Sequence, residues 1–394
     1  MVADVALTDL VRPGMRIALA DGTSSPHLLH AELSRAAAAA GDVRLVVGWH
    51  PAPAPDLDVT AFADVVCIAG GPALRAGIDA GTVRFTPSRL SAVPSLLAGP
   101  LRPDLVVATL VRDPDGFRMA GDAGWTRRLI DAGVPVAALV SHTAPHSDAG
   151  PPLPDAAITV VAESQDRASG PAEIRTPAPT ADDVAIAAHV AGLVPEGARV
   201  QVGPGRLAAA MVAALRVPVR VDSGLLPEPV VDLDAAGLLL GDPVCAYLIG
   251  TRRLHEWADG RRLLHPVEVT HDVGRLSSAD LPPLVALNAA LEIDVDGQIN
   301  VEGIGDRTTG LIGGHPDFAA AGARSVGGLS VIALASRHRD RPTLVSRLSR
   351  PVTTASHDVE IVVTERGIAD LRGLDRRSRR AALLDLWGDL SDVG

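Results

Sequence analysis

Short apolar, β-branched runs recur through the first third of the chain. Arg16–Ala20, Leu45–Val47, Val65–Ile68, Leu105–Leu110 and Pro135–Val140 are each too brief for a helix, and several end at Gly or His-Pro. Such runs suit strands buried on both faces of a parallel sheet. Between the first two, Pro26–Ala40 carries an alanine-rich face and meets Gly41, which predicts a helix and its stop. Alternation of this kind predicts a layered α/β architecture. Residues 147–183 are rich in Pro, Asp, Ala and Ser and read as surface connections around one strand, Ala157–Val161. The boundary is therefore expected near Ala181, giving domains 1–180 and 181–394. Thr180 or Asp182 caps a helix running to Ala191. A second α/β unit follows: strand Arg199–Val202, the loop Gly203-Pro204-Gly205, helix Leu207–Leu215 and strand Val217–Val221.

The densest pattern lies between Leu284 and Arg372. Leu291, Ile293 and Val295 alternate with polar residues, Asp296-Gly297 turns the chain, and Ile299 and Val301 alternate again. This predicts a hairpin with a two-residue turn. Gly303, Gly305, Gly310, Gly313 and Gly314 follow, and Pro316 opens a small-residue helix to Arg324. Gly327-Gly328 ends it, and Val331–Leu334 reads as a buried strand. Glycines packed this closely let backbone approach a ligand, and N–H groups beside a helix start receive anions. They equally form a plain connection between sheet layers.

Composition narrows the function. The 394 residues are 47% hydrophobic but only 2% aromatic, so the core is built from Ala, Val, Leu and Ile. All 36 basic residues are arginine, yet the net charge is -11. That balance argues against non-specific nucleic-acid binding. Cys67 and Cys245 sit in apolar runs, as reduced thiols of a cytosolic protein do. Met1–Gly14 has neither a basic start nor a long apolar core, so no signal peptide is read there, and no apolar run is long enough to span a membrane. No G-x-S-x-G elbow, P-loop or C-x-x-C occurs. His142 and His146 have helical metal-ligand spacing, but Pro145 between them argues against a helix, and no metal site is predicted. Gly203 and Gly205 after a strand, with Asp222 ending the next, leave a dinucleotide-binding reading open, although Pro204 removes one loop N–H.

VALNAALEIDVDGQIN (285–300), the G-x-x-G-G-x-x-D-F of Gly310–Phe318, ARSVGG (323–328) and SHDVEIVVTERGIADLRG (356–373) together resemble the C-terminal region of the acetyl-CoA hydrolase/transferase family. That family includes 4-hydroxybutyrate and succinyl-CoA:acetate CoA-transferases. Residues 102–133 resemble the family's strand, Gly-aromatic turn and helix, and Ser141–His146 falls at its proline-containing active-site loop. The resemblance implies two tandem α/β domains of CoA-transferase type (NagB/RpiA/CoA-transferase-like) with the site between them. It implies acyl-CoA and a carboxylate acceptor as substrates, no permanently bound cofactor, no nucleic-acid or membrane partner, a cytoplasmic location and a homodimer. A local arginine pocket for CoA phosphates remains compatible with the net charge.

The family works through a glutamate that attacks the thioester and passes through an anhydride and a glutamyl thioester. Aligning Val230–Leu233 on the family's V-V-D-L places Gly224 where that nucleophile belongs. Glycine cannot form the anhydride. Glu228 is one substitute, stiffened by Pro227 and Pro229. General-base work by Glu228, Glu365, His315, His142 or His146 is a second route. A catalytically silent CoA-ester binder or partner subunit is a third. His315 stands where the family commonly has glutamine, as a donor to a thioester oxygen or a loop cap. Glu365 matches the family motif, or caps a helix start, or pairs with Arg372. Gly203, Gly205, Gly310, Gly313 and Gly314 are the expected ligand-binding backbone. A Gly224→Glu exchange is expected to test whether the scaffold is intact, where the backbone angles admit a side chain.

Overall fold

The computed structural model describes residues 5–388. Residues 1–4, the beginning of the stretch read for a signal peptide, and 389–394 lie outside the described residues. The chain forms two compact units. The first comprises Met1–Arg175 with Cys245–Val269, the second Thr176–Val244 with Thr270–Gly394. These units and a single cut at residue 180 differ by residues 176–180, which lie with the second unit, and by the segment Cys245–Val269, which lies with the first.

The first unit is built on an eight-stranded sheet. Its spatial order is Arg84–Phe85, Asp64–Cys67, Arg44–Val47, Arg16–Leu19, Leu105–Asp113, Val136–Ser141 and Ile158–Ser164, with Gly116–Met119 antiparallel to Leu105–Asp113. The runs read from the sequence as buried parallel strands are these strands, and Ile17, Leu45, Val65, Val107 and Leu139 bury their side chains in one cluster. Pro26–Ala40, expected as one helix, begins as a 3-10 turn at His27–Leu29 and becomes α-helical at His30–Ala40. Gly41 ends it at φ +76, a conformation that favours glycine.

The second unit holds a six-stranded sheet ordered Arg220–Val221, Arg199–Val202, Leu284–Ala289, Leu329–Ala333, Ile361–Thr364 and Gly367–Asp370. All neighbours are parallel except the last two, which form a hairpin. Thr180 caps helix Ala181–Ala191 in a reciprocal box with Asp183, so of the two expected caps Thr180 is the one used. The strand expected at Val217–Val221 is regular only at Arg220–Val221.

The hairpin at 292–300 differs from expectation in one respect. Glu292 pairs with Asn300 and Ile293 with Ile299, and Asp294 N–H donates to Gln298 O. The loop is therefore three residues, Val295 to Gly297, closed by Gly297 N–H on Asp294 O at 2.8 Å. Gly297 has φ +82, the left-handed residue that ends a three-residue hairpin loop. Val295 leaves the pairing because its N–H donates to Val345 O, which attaches a third strand, Leu344–Val345, to the hairpin. Among the described residues no helix is long and apolar enough to cross a membrane.

Candidate functional site

In the second unit, Arg199–Val202 lies between Arg220–Val221 on one side and Leu284–Ala289 on the other. The chain winds outward in both directions from this strand. Loops at the carboxyl ends of strands diverge at such a point and leave a crevice where ligands bind in open α/β sheets. The loops in question are Gly203–Gly205, Asp222–Gly224 and the run after Ala289, together with the start of helix His315–Arg324.

Ser223 fastens two of these loops. Its fully buried hydroxyl donates to Val202 O at 2.9 Å and accepts from Val202 N–H at 3.2 Å. Asp222 beside it is held by Arg199 at 2.9 Å and by both ends of the Arg275 guanidinium, the shorter contact being 2.6 Å. The acid that a dinucleotide reading assigns to a ribose is thus engaged in a buried ion pair. Gly205 has φ +106 and starts helix Arg206–Ala214, so its backbone alone calls for glycine. Gly203 has ordinary angles, and a Cβ on it would meet nothing within 4 Å.

Gly224 faces an imidazole. A Cβ built on Gly224 would lie 2.5 Å from His271 Nε2 and 3.2 Å from Phe318. One built on Gly314 would lie 2.5 Å from the same nitrogen and 2.9 Å from Phe318. Two glycines from separate loops therefore admit one histidine ring, which leans on Phe318 at a centroid distance of 4.9 Å. His271 Nδ1 pairs with Thr270 Oγ1 at 2.8 Å, and the residue is 1% exposed. Burial, reinforced by nearby Arg275 and opposed by Asp222, pushes its pKa down to about 3. The ring is neutral across the physiological range. Gly224 has no left-handed φ, so its backbone admits a side chain; His271 is what occupies the space.

The glycine run divides into two kinds. Gly310 serves the hairpin Gly303–Ile304/Arg307–Thr308: its N–H donates to Glu302 O, and a Cβ would fall 2.1 Å from Val301 O. Gly313, at φ +55, and Gly314 lead into the helix, and among the described residues their N–H groups meet no protein acceptor. His315 Nδ1 pairs with Thr354 Oγ1 at 2.7 Å. Its Nε2 is buried and makes no hydrogen bond of normal geometry, although the Ala289 carbonyl faces the ring. Burial, partly offset by that carbonyl, pushes the pKa of His315 down to about 4. Asn288 Nδ2 and Gln201 Oε1, near the carboxyl ends of the two central strands, are likewise buried without partners. Unpaired buried polar atoms cost stability and call for an explanation in a native structure. A concentration of them at the switch point marks a polar ligand site.

The other sequence-derived candidates lie elsewhere. Strand Leu225–Pro227 separates Glu228 from Gly224, and the three extended residues span roughly 10 Å. Glu228 is half-buried just before helix Val230–Ala235. Glu365 neither caps a helix nor pairs with Arg372. It accepts from Ser336 N–H at 2.8 Å and from the Ser336 hydroxyl, at the turn of the Ile361–Thr364/Gly367–Asp370 hairpin. Burial raises its carboxyl, but those bonds outweigh burial and hold it below the usual range. Arg372 pairs with Asp370 instead. In the first unit His142 lies near Glu163 and His146 bonds Asp113, so each has its own acid, and among the described residues no metal-binding group of His, Cys, Asp or Glu occurs. His271 escaped the sequence reading because Val269-Thr270-His271-Asp272 carries no motif. The available signal was indirect: two side-chain-free positions, 224 and 314, imply a third residue that fills the gap.

Two α/β units with parallel sheets make a fold shared with solved CoA-transferase structures. Residues 250–387 match the acetyl-CoA hydrolase/transferase C-terminal domain. The chain is 26% identical over 336 residues to 4-hydroxybutyrate coenzyme A transferase of Clostridium kluyveri, covering 80% of this chain and 77% of that protein. RipA from Yersinia pestis has the same fold, with a TM-score of 0.85 at 22% identity over 95% of this chain and 91% of that one. So does a 4-hydroxybutyrate CoA-transferase from Porphyromonas gingivalis, with a TM-score of 0.76 at 19% identity over 97% and 93% of the two chains. Residues 250–387 thus carry the acetyl-CoA hydrolase/transferase C-terminal domain, and the chain is similar to CoA-transferases over most of its length.

Proposed function

We propose that this protein processes acyl-CoA thioesters with water as the acyl acceptor, and that His271 takes over the position a carboxylate nucleophile holds in its transferase relatives. The observation that carries this reading is the neutral imidazole seated against Gly224 and Gly314. A glycine at 224 offers no carboxylate, so no glutamyl anhydride forms there. A neutral histidine with its Nδ1 engaged leaves the Nε2 lone pair to accept a proton, and the oxyanion that develops beside it supplies the negative charge that stabilises the imidazolium against its burial. In the proposed reaction Nε2 takes a proton from water, and the hydroxide oxygen bonds to the thioester carbon. The developing oxyanion is held by donors unengaged in the protein, the N–H groups of Gly313 and Gly314. The C–S bond breaks, and the imidazolium returns its proton to the CoA thiolate. Asn288 Nδ2 and His315 Nε2 are further polar contacts for the acyl or pantetheine portion. No resident cofactor is required.

Turnover of an acyl-CoA panel, followed by thiol release and intact-protein mass spectrometry, tests this. Wild type is expected to release CoA without a covalent adduct, and His271→Ala to lower the rate on the order of a hundredfold. A stable CoA adduct mapped to Glu228 overturns the reading in favour of a displaced carboxylate nucleophile. Binding of CoA esters without turnover favours the silent binder, and calorimetry that detects NAD(H) but no CoA compound removes the family's substrate class altogether. We also place the protein in the cytoplasm as a homodimer. The thiols of Cys67 and Cys245 are buried and form no disulfide, with burial pushing Cys67 up to about 12, which suits a reducing compartment. A single monomeric mass by light scattering removes the dimer.

A further inference from the structure

The six-stranded sheet of the second unit ends in an open edge. Gly367–Asp370 is its last strand, and among the described residues no strand lies beyond it. On its inner side Ala369 stands opposite Val362 and Gly367 opposite Thr364, and Leu371 N–H donates to Glu360 O at 2.8 Å. Residues 367, 369 and 371 thus turn their backbone groups inward, and strand alternation turns the N–H and C=O of Ile368 and Asp370 outward. Proteins usually blunt such an edge with lysine, proline or a bulge. This strand has no lysine or proline, its register runs without a shift, and Ile368 is 41% exposed. Beside the edge runs a groove. Arg366–Asp370 form one wall, and Ala382, Asp385, Leu386 and Gly388, along helix Arg376–Trp387 and its end, form the other. Gly367 and Ala369 carry nothing larger than a methyl group, so a second backbone can come alongside.

The charges on this edge match themselves. Arg366 and Asp370 lie two residues either side of Ile368, with side chains 45% and 49% exposed. Arg366 Nη1 donates to Trp387 O, and Asp370 accepts from Arg372 at 2.6 and 2.9 Å. A guanidinium and a carboxylate each keep sites beyond these. When a second copy of the strand is laid antiparallel with Ile368 facing Ile368, Arg366 of each copy faces Asp370 of the other. Ile368 N–H then meets Ile368 O across the axis, and Asp370 N–H meets Arg366 O. Sliding the copies so that Ile368 faces Asp370 sets Arg366 against Arg372, a like-charge pair. Sliding them the other way sets Arg366 against Ile368 and leaves no ion pair. Opposite charges facing across strands stabilise and like charges destabilise, so charge selects the first register.

We infer that the edge Arg366–Asp370 joins a second copy of this chain across a two-fold axis at Ile368, running the two sheets into one. A patch that complements itself is what a two-fold contact requires, and strand addition at a free edge supplies main-chain hydrogen bonds. So short an edge does not suffice alone; Leu374, and Val184 on helix Ala181–Ala191 packed against the same hairpin, are further exposed apolar residues. The inference names the surface of the homodimer proposed above and is independent of the acyl-CoA chemistry.

Sedimentation and light scattering across a concentration series test it, with thermal unfolding as a check on each variant. Arg366→Asp sets Asp against Asp370, and Asp370→Arg sets Arg against Arg366, so each alone is expected to weaken the dimer on the order of tenfold. An equimolar mixture of the two variants restores opposite charges at both positions and is expected to associate within about twofold of wild type. Damage to the fold cannot produce that recovery. Ile368→Lys, which brings two ammonium groups together on the axis, is expected to weaken the dimer at least as much. Single variants that dimerise as wild type does, a mixture that fails to recover, or an unaffected Ile368→Lys overturns this surface while leaving the dimer. Loss of the dimer on stopping the chain at Gly388 reassigns the groove to residues 389–394 and overturns it as well. A monomeric wild type removes the homodimer itself, a result distinct from the other outcomes.

Discussion

Each unit presses glycines against a buried titratable group at the carboxyl ends of its strands, and the two places are finished differently. In the first unit the groups are Asp21 and Asp122. A Cβ on Gly22 would lie 2.5 Å from Asp122, and one on Gly48 2.5 Å from Asp21. Asp122 accepts from Ser24 N–H at 2.7 Å, Thr23 Oγ1 at 3.0 Å and Leu248 N–H at 3.1 Å. Asp21 accepts from Tyr247 Oη at 3.0 Å. In the second unit the group is His271, with one bond to Thr270, and the atoms around the switch point, Asn288 Nδ2, His315 Nε2 and the N–H groups of Gly313 and Gly314, lack protein partners. The same device, glycine giving room to a buried polar group, yields a largely closed network in one unit, with Ser24 Oγ left over beside it, and an open one in the other. A closed network fixes structure; an open one awaits a ligand.

Removing Asp122 should have the largest effect. Asp122→Ala strands three donors, which costs on the order of 3–5 kcal/mol. Hydrogen exchange should show lost protection in the first unit, and a variant as stable as wild type would refute the claim that this network holds the fold. Next comes Gly224→Glu, whose side chain must displace the His271 ring and should cost about 1–3 kcal/mol. Gly224→Glu/His271→Gly should regain most of that loss in thermal unfolding. If the single variant is no less stable, the contact between ring and glycine does not constrain the site.

A pH series sharpens the contrast. Burial lifts Asp21 to about 7, with repulsion from Asp122 adding to it, and lifts Asp122 to about 6. Folded pKa values above the unfolded 3.8 mean that these acids take up protons on folding, so acidification from pH 7 towards 4 relieves their cost. His30 and His50 in the first unit, pushed by burial down to about 3 and about 4, act the opposite way below 6.5, because the unfolded chain protonates first. In the second unit His271 and His315 have only this destabilising sense. Hydrogen exchange at pH 7 and pH 5 should therefore show a greater loss of protection around 271 and 315 than around 21 and 122. Equal loss at both places would break the comparison. The smallest stability effect is expected at Asn288→Ala, about 1 kcal/mol or less, since Nδ2 has no bond to lose. Its effect should appear instead in acyl-CoA turnover, and a large stability loss with unchanged turnover would place Asn288 in the closed kind of network.

Much of the fold was legible because it is written locally. A strand buried on both faces must be apolar throughout, so Leu45–Val47 and Leu105–Leu110 declare themselves without knowledge of their neighbours. Thr180 with Asp183, and Gly41 after an alanine-rich face, are end signals carried within a few residues. The hairpin loop was misjudged by one residue because Val295 turns away to bond Val345, fifty residues further on. The sheet's central strand Leu284–Ala289 and the hairpin around Glu365 were not legible as separate elements within the longer stretches that resemble the family.

Sequence alone determined that glycine stands at 224, that glycines crowd Gly303–Gly314, and that the chain is an α/β protein resembling the CoA-transferases. These follow from residue identity and short-range pattern. Only the tertiary structure decided what those glycines face. Gly310 answers to Val301 O within its hairpin, whereas Gly224 and Gly314, ninety residues apart, answer to one ring at His271. Steric room is a property of the space between segments, and nothing in the order of residues states which distant side chain will enter it.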